Sequence, residues 1–483
     1  APAQMSARDA PTSEPSLGRL QQVKGWGGAS SSASYVQRPA TVAELREIFS
    51  LARESGRTVG FRGGGNSYGD AALNNENILV DCQRMNRILD WDPIHGVIRI
   101  EPGVTLHRLW EYVLEDGWWP PVVTGTMKIT IGGGAAMNVH GKNGWKMGTL
   151  GDHILSFEMM LPSGEIVHCS REENADLFYA AIGGFGMLGC FTALTLRMKR
   201  IYSGLLDVEA VATPDLDAMF DYFEYHLDSA DYLVGWIDAF ARGSALGRGQ
   251  IHRANYLAPD EDSAPAETMS LLRQEIPDSV AGILPKMWLP FFMRPFYNNT
   301  GWRLVCWAKY MSSRLFEGLE GQRYRQPHAH FHFLLDAIPF KKVFGRGGII
   351  QYQAFVSAAE ARATFVRLLE LGHEHQMPNF LSVLKRHRPD PFLMSYGLDG
   401  YSLAMDFHLG DGNHARMRQL AREMDEVVLA AGGRFYFAKD STLRAEVVRS
   451  TLGDETIEQF RTLKARCDPD GLIETNLWRR LFG

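Results

Sequence analysis

Two glycine-dense runs hold the groups best placed to do chemistry in this chain of 483 residues. The first is Arg62-Gly63-Gly64-Gly65-Asn66-Ser67-Tyr68-Gly69-Asp70. The second starts at Gly125-Thr126, passes Thr130, Gly132, Gly133, Ala136, Met137 and Val139, and ends at His140-Gly141-Lys142-Asn143. Glycines at this density bare backbone N–H groups and remove every Cβ that would hold a ligand off, which is the local chemistry of an anion nest. Each run also ends in side chains able to give or take a proton. Together they predict a flat, phosphate-bearing dinucleotide lying on backbone, with chemistry at its edge. Neither run is a nucleotide-triphosphatase loop, because no Gly-Lys-Ser/Thr follows four residues after a glycine.

The elements that must position these runs follow from capping and periodicity. Thr41, with Glu44 three residues on, predicts a helix over 40–56 whose apolar face is Leu45, Ile48, Phe49 and Leu51. A strand at Thr58–Phe61 delivers the first run, and further strands are expected at Ile78–Asp81, Gly96–Ile100 and Ile154–Leu161, with a helix at Leu106–Glu115. Gly184, Gly186 and Gly189 have GxGxxG spacing. Their expected order is helix (Asn174–Ile182), glycines, strand (Phe191–Met198), the reverse of a nicotinamide site. From about 204 to 433 glycine-rich loops give way to aromatic-laden segments such as Leu233–Phe240 and Ile349–Val356. The last fifty residues return to the early style with Tyr436-Phe437-Ala438-Lys439-Asp440-Ser441. The organisation expected is a loose tail at 1–18, a cofactor domain built from 19–203 and 434–483, and a substrate domain at 204–433.

Bulk properties narrow the function classes. With 50 Lys and Arg against 56 Asp and Glu, the formal charge is −6, which argues against nucleic acid as the partner. No apolar run reaches the roughly 18 residues of a membrane span. Five cysteines without close pairing suit neither zinc nor a disulfide framework, and fit a reducing, cytosolic setting. His328, His330 and His332 would share one face of a strand, but neighbours on a single strand seldom converge on one ion, so the reading is a polar strand face and no metal. Residues 283–297, with Trp288, Phe291, Phe292 and Phe296 around Lys286 and Arg294, read either as core or as a membrane-touching flap.

These motifs, taken in order, resemble the flavoproteins of the vanillyl-alcohol-oxidase (PCMH) type, and within them the branch that oxidises a polyprenylphosphoryl ribose. The likeness runs from Gly25-Trp26-Gly27 almost to the C-terminus. It is carried by Ser67-Tyr68-Gly69-Asp70, Gly125-Thr126, Ile131-Gly132-Gly133, His140-Gly141-Lys142-Asn143, Gln351-Tyr352-Gln353, Ala438-Lys439-Asp440-Ser441 and Arg479-Arg480-Leu481. The resemblance implies an α+β fold: a two-part FAD-binding domain with an inserted substrate domain on an antiparallel sheet. It implies FAD, its pyrophosphate against the two glycine runs, held by Arg62, Gly63, Gly64, Gly65, Asn66, Ser67, Tyr68, Gly125, Thr126, Thr130, Gly132, Gly133, Ala136, Met137, Val139, His140, Gly141, Tyr436 and Lys439. Many relatives bond the flavin through a His where this chain has Asn66, so dissociable FAD is expected. His140 is discounted as an attachment point, since ribose oxidases with noncovalent FAD share the His-Gly-Lys-Asn motif.

The resemblance places Lys439 beside flavin and substrate, where a fixed cation would stabilise charge left near N1 and C2=O after hydride transfer. The hydroxyl proton needs an acceptor, for which neutral Lys439, Tyr68 and His140 are the candidates. Lys142, Trp236, Gln353 and Lys385 match positions around the substrate. Ser402 and Ala404 stand where the ribose oxidases have Asn and Cys, which reshapes the pocket wall. The activity implied is oxidation of a secondary sugar hydroxyl to a ketone, at C2 of a polyprenylphosphoryl ribose, as the first half of epimerisation to the arabinose form. An NAD(P)H-dependent keto-reductase would complete it, and quinone or oxygen would reoxidise the flavin. The implied setting is cytoplasmic, peripheral at the membrane. The alternatives are an FAD oxidase of a free sugar, alditol or other alcohol, and a flavin-binding scaffold without catalysis.

Overall fold

The N-terminal third is built from short capped helices that feed glycine runs. In the computed structural model, which describes residues 14–280, 284–316, 322–343, 347–410 and 412–483, Thr41 caps the helix Val42–Ser55 by accepting from Glu44 N. Glu44 answers by accepting from Ala40 N at 2.7 Å, a reciprocal cap that satisfies two orphan donors. Leu45, Ile48, Phe49 and Ala52 form its buried face. The strand Val59–Arg62 follows and leads directly into Gly63. It runs parallel to Ile78–Asp81, which in turn pairs parallel with Ser31–Gln37, while Leu20–Lys24 lies antiparallel at the edge.

A second sheet is wholly antiparallel: Ile88–Asp92, Val97–Ile100, Cys190–Arg197, Ile154–Met160 and Ile166–Ser170, in that spatial order. The GxGxxG stretch joins the helix Ala175–Ala181 to the strand Cys190–Arg197, the helix–glycine–strand order expected. Of the expected tail at 1–18, residues 1–13 lie outside the described residues, and Leu17–Arg19 form one turn of 3-10 helix.

The middle of the chain folds on an eight-stranded sheet in the order Gln322–Pro327, Leu205–Thr213, Gly249–Tyr256, Tyr232–Ile237, Leu381–His387, Gly400–His408, Ile349–Ser357 and Arg434–Phe435. Every pairing in it is antiparallel. Register fixes which side chains meet. Gln353 lies opposite Ala404, Ala404 opposite Val383, Val383 opposite Trp236, and Trp236 opposite Gln250. One strand spacing further along, Gln351 pairs with Asp406 and Lys385 with Ser402. Residues two apart on a strand share a face, so these rows build one polar wall.

The C-terminal segment returns to the first sheet. Val59 N donates to Leu472 O and Glu474 N to Val59 O, extending the parallel sheet by a bridge to Ile473. Arg480 then reaches both Asp70 and Asp440.

Two segments differ from expectation. His328–His332 is a short helix, not a strand: Pro327 ends the edge strand, and the chain turns helical after it. The three histidines therefore do not share a strand face; His328 and His332 point inward and His330 is exposed enough to reach Glu275 O. Among the described residues no group of three or more His, Cys, Asp or Glu could hold a metal ion. Within 283–297, Ile283 lies outside the described residues, and Lys286–Phe296 is three consecutive short helices. Met287, Trp288, Phe291 and Phe292 are exposed there.

Candidate active site

The two glycine runs pack against each other and against the Ala438–Ser441 motif by backbone. A Cβ on Gly63 would sit 2.0 Å from Thr130 Oγ1, and one on Gly69 would sit 1.9 Å from Asp440 O. Tyr68 N donates to Ala438 O at 2.9 Å, and Arg480 clamps Asp70 (2.7 Å) to Asp440 (2.7 Å). Three sequence-distant motifs are thereby joined, and they bring Tyr68 to Lys439: the ammonium lies 4.1 Å from the centre of the Tyr68 ring.

These motifs form one side of a cavity of about 750 Å³, a size suited to a cofactor and part of its substrate. The polar wall of the large sheet forms the other. Arg62, Gly63–Tyr68, Gly125, Thr126, Thr130, Gly132, Gly133, Ala136, Met137, Val139, His140, Tyr436 and Lys439 all line it, as do Lys142, Trp236, Gln353, Lys385 and Ala404. Gly141 and Ser402 do not. Gly141 packs on Val123, where a Cβ would meet its carbonyl at 2.8 Å, and Ser402 is fully buried beside the wall residues. Ser402 acts through a neighbour: Gln353 Nε2 donates to its hydroxyl at 3.3 Å, and the hydroxyl bonds to His387 Nε2 at 2.7 Å.

The same Gln353 amide donates to His140 Nε2 at 3.1 Å. An imidazole that accepts at Nε2 carries its proton at Nδ1 when neutral. Burial, together with Lys385, His387 and Lys439, holds His140 well below its ordinary value, so it is neutral. Its Nδ1 is buried and has no partner among the described residues, as is Asn66 Nδ2. Both residues line the glycine-rich cavity.

Three partly buried amino groups line the cavity. Burial lowers Lys439 to about 8, opposed by the Asp406 charge. Burial and Lys439 lower Lys385 to about 7, and burial and Lys385 lower Lys142 to about 7. Lys142 Nζ donates to Phe331 O at 2.6 Å and His332 O at 3.2 Å. Asp406 is the carboxylate lining the cavity among the described residues. Burial raises it to about 6, while Gln351 and Lys439 pull it down. Gln351 Nε2 donates to Asp406 and, at 3.4 Å, to Tyr68 Oη. Burial also raises the Tyr68 phenol well above its usual range, so it stays protonated.

Sequence reasoning missed Asp406 as a site residue, although the period of the strand gives it: Ser402, Ala404 and Asp406 alternate on one face. Gln351 was visible as part of a motif but carried no role. Lys309 and His252 also line the cavity, from the helix Asn299–Phe316 and the strand Gly249–Tyr256, and no local pattern announces either.

The chain is an FAD-dependent oxidoreductase, and its cofactor is FAD. Residues 33–170 match the FAD binding domain. Over its length the chain is similar to the decaprenylphosphoryl-beta-D-ribose oxidase of Mycolicibacterium smegmatis, 28% identical over 99% of both chains. It is also similar to the L-gulonolactone oxidase of Mus musculus, 29% identical over 40% of this chain and 43% of that one. With the D-arabinono-1,4-lactone oxidase of Yarrowia lipolytica it shares 28% identity over 53% of this chain and 48% of that one. Its chemistry is accordingly FAD-dependent oxidation of a sugar-type substrate.

Proposed function

We propose that this protein oxidises a secondary hydroxyl of a lipid-linked, phosphorylated sugar to a ketone, at C2 of a polyprenylphosphoryl ribose, as the first half of epimerisation to the arabinose form. The observation that carries the reading is the charge of the cavity: Lys142, Lys385 and Lys439 line it from both sides, with Asp406 the one carboxylate among the described lining residues. Amino groups that lower one another's proton affinity gain when an anion enters between them. A neutral sugar, alditol or lactone would give them nothing. The ribose-oxidase likeness supports this, since it covers 99% of the chain and the two lactone-oxidase likenesses 40% and 53%.

FAD, when bound, supplies the two-electron acceptor for the hydride. The glycine runs and Arg62 would hold its pyrophosphate, and Asn66, which cannot bond the flavin ring, leaves it dissociable. Lys439, kept protonated by Asp406, presents a fixed cation at the edge where negative charge develops, preorganised rather than recruited. Tyr68 is held against Lys439 by its ring and by Gln351. His140 orients through Nδ1–H; with Nε2 engaged by Gln353, it is poorly placed to accept the hydroxyl proton. Gln353, Lys385, Lys142 and Trp236 line the substrate side, and Ala404 widens it.

The two-part cofactor domain (19–203 with 434–483) around a substrate domain at 204–433 belongs to this proposal, as do the keto-reductase partner and a quinone or oxygen acceptor. So does peripheral membrane contact from the cytoplasmic side. Among the described residues no helix is long and apolar enough to cross a membrane. Exposed Met287, Trp288, Phe291 and Phe292, with Leu304 and Trp307 on the Asn299–Phe316 helix, offer an apolar face beside Lys286 and Arg294. Aromatics flanked by cations suit the headgroup zone of a bilayer.

The test is a deuterium label at C2 of a short-chain polyprenylphosphoryl ribose. Slower flavin reduction with label, and a product lighter by the C2 hydrogen and the hydroxyl proton, are expected. Equal rates with and without label, with no C2 ketone formed, would reject the assignment.

A further inference from the structure

The start of the second glycine run is irregular backbone, so its polar groups need partners from outside a helix or strand. Several of them come from a strap 210 residues later in the chain. The strap is a series of short helices, His328–His332, Leu334–Ala337 and Phe340–Val343. Leu335 N donates to Gly125 O at 3.1 Å. The Asp336 carboxylate accepts from Met127 N at 2.8 Å with one oxygen and from Thr126 Oγ1 at 3.1 Å with the other. Lys128 Nζ stands 3.6 Å away, but its side chain is 74% exposed, whereas that of Asp336 is 6% exposed. An ion pair with so exposed a lysine is worth little, so the two hydrogen bonds to the enclosed carboxylate carry the hold.

The strap is also a wall of the cavity. Leu334, Leu335, Ile338 and Val343 line it, while Asp336 between them does not. Farther along, the Lys341 ammonium lies 4.8 Å from the centre of a Trp26 ring, and Trp26 packs on Tyr68 at 4.5 Å. At the near end Lys142 donates to Phe331 O and His332 O, and Lys286 Nζ donates to Asp336 O at 3.4 Å. One segment therefore touches both glycine runs and the amino group of Lys142. Gly125 and Thr126 line the same cavity, so their shape and the placement of the strap are set together at Asp336.

We propose that Asp336 is a positioning residue: it latches the strap onto Gly125–Lys128, so that FAD held on that run and the closed strap stabilise each other. The inference needs FAD and not a particular sugar, and in that respect it goes beyond the proposed function. Asp336 acts through Thr126 and Met127, without touching the cofactor itself. The coupling is reciprocal: whatever factor the closed strap adds to FAD affinity, bound FAD adds to strap closure. Removing the carboxylate leaves Met127 N and the Thr126 hydroxyl without this acceptor and frees both partners at once.

The experiment uses the holoprotein as wild type, Asp336→Ala, Asp336→Asn, Thr126→Val and the double variant Asp336→Ala with Thr126→Val. FAD release on dilution is followed by the recovery of flavin fluorescence, and trypsin cleavage after the exposed Lys341 and Lys342 reports on the strap. Release is expected to quicken about tenfold or more in Asp336→Ala, since hydrogen bonds to a charged group are lost. Asp336→Asn should fall between, because its amide can still accept from Met127 N and donate to Thr126 Oγ1. The double variant should release FAD more slowly than the product of the two single effects, and the strap should be cut faster wherever FAD leaves faster. A general loss of stability would instead make the single effects multiply. Equal FAD release in wild type and Asp336→Ala, or single effects that multiply, overturns the latch; if Asp336→Ala does not fold, Asp336→Asn takes its place in the cycle under the same criteria. If the cycle shows coupling but a short-chain polyprenylphosphoryl ribose never reduces the flavin, the latch stands and the substrate reading falls. If the sugar is oxidised while FAD release is the same in all the proteins, the substrate reading stands and the latch falls.

Discussion

Asp406→Asn separates the two roles open to Lys439, fixed cation and proton acceptor. In the native protein burial lowers Lys439 to about 8, and the Asp406 carboxylate is what limits the fall. A lysine at about 8 is roughly 90% protonated at neutral pH. Removing a nearby opposite charge lowers a neighbour by roughly 1–3 units. A fall of about 2 would leave roughly 10% of Lys439 protonated at neutral pH, so a step that needs the cation slows about ninefold. The sign is set by the group: the cation is present below its own value and is lost as pH rises through it. Wild type should therefore show a limiting rate of flavin reduction that falls near pH 8, and Asp406→Asn the same fall moved about 1–3 units lower. At pH 5 the two rates should converge, since Asp406 is itself mostly protonated below about 6. The assay is anaerobic stopped-flow at saturating substrate, because Lys385 and Lys142, both near 7, titrate in the same window and act on binding. A variant that is faster than wild type at neutral pH would mean that neutral Lys439 acts as the base. An unmoved alkaline limb would mean that Asp406 does not govern Lys439 at all.

Two further expectations follow from the geometry. Arg480→Ala strips the shared partner from Asp70 and Asp440, whose side chains are 13% and 4% exposed, and should cost about 3 kcal/mol by leaving two carboxylates uncompensated. Urea unfolding followed by flavin fluorescence would show an earlier transition together with FAD loss; an unchanged midpoint would show that the clamp is dispensable. Acid precipitation of the holoprotein should leave all FAD in the supernatant, because Asn66 offers no attachment atom and His140 is enclosed by Gln353 and aromatic rings. A yellow pellet would contradict this.

Local elements were legible in the sequence to within a residue or two where a cap or a clear period marks them. Thr41 and Glu44 set the start of Val42–Ser55, and the strand expected before the first run is Val59–Arg62, leading into Gly63. The His328–His332 segment shows the opposite case. Alternation of histidines mimics a strand, but Pro327 closes the strand before them and the apolar partners Trp119 and Tyr232 draw His328 and His332 into a helix turn. The site was legible in part for the same reason. Lys439, Tyr68 and His140 sit in motifs, whereas Asp406 becomes visible only once Gly400–His408 is read as a strand and its period extended past Ala404. Lys309 and His252 meet through tertiary packing of a helix on a sheet, and no spacing along the chain encodes that encounter. The glycines carry a second meaning too: Gly63 and Gly69 are required by close packing, against the Thr130 side chain and the Asp440 carbonyl.

The central claim is that the flavin is reduced by a sugar whose phosphate and lipid are part of what the cavity recognises. Anaerobic stopped-flow of the holoprotein at fixed concentration, mixed in turn with a short-chain polyprenylphosphoryl ribose, free ribose and a series of alditols, tests it most directly. Rapid loss of oxidised-flavin absorbance with the lipid-linked sugar alone is the predicted result. Equal bleaching by free ribose or an alditol would contradict the account and assign the protein to oxidation of free polyols.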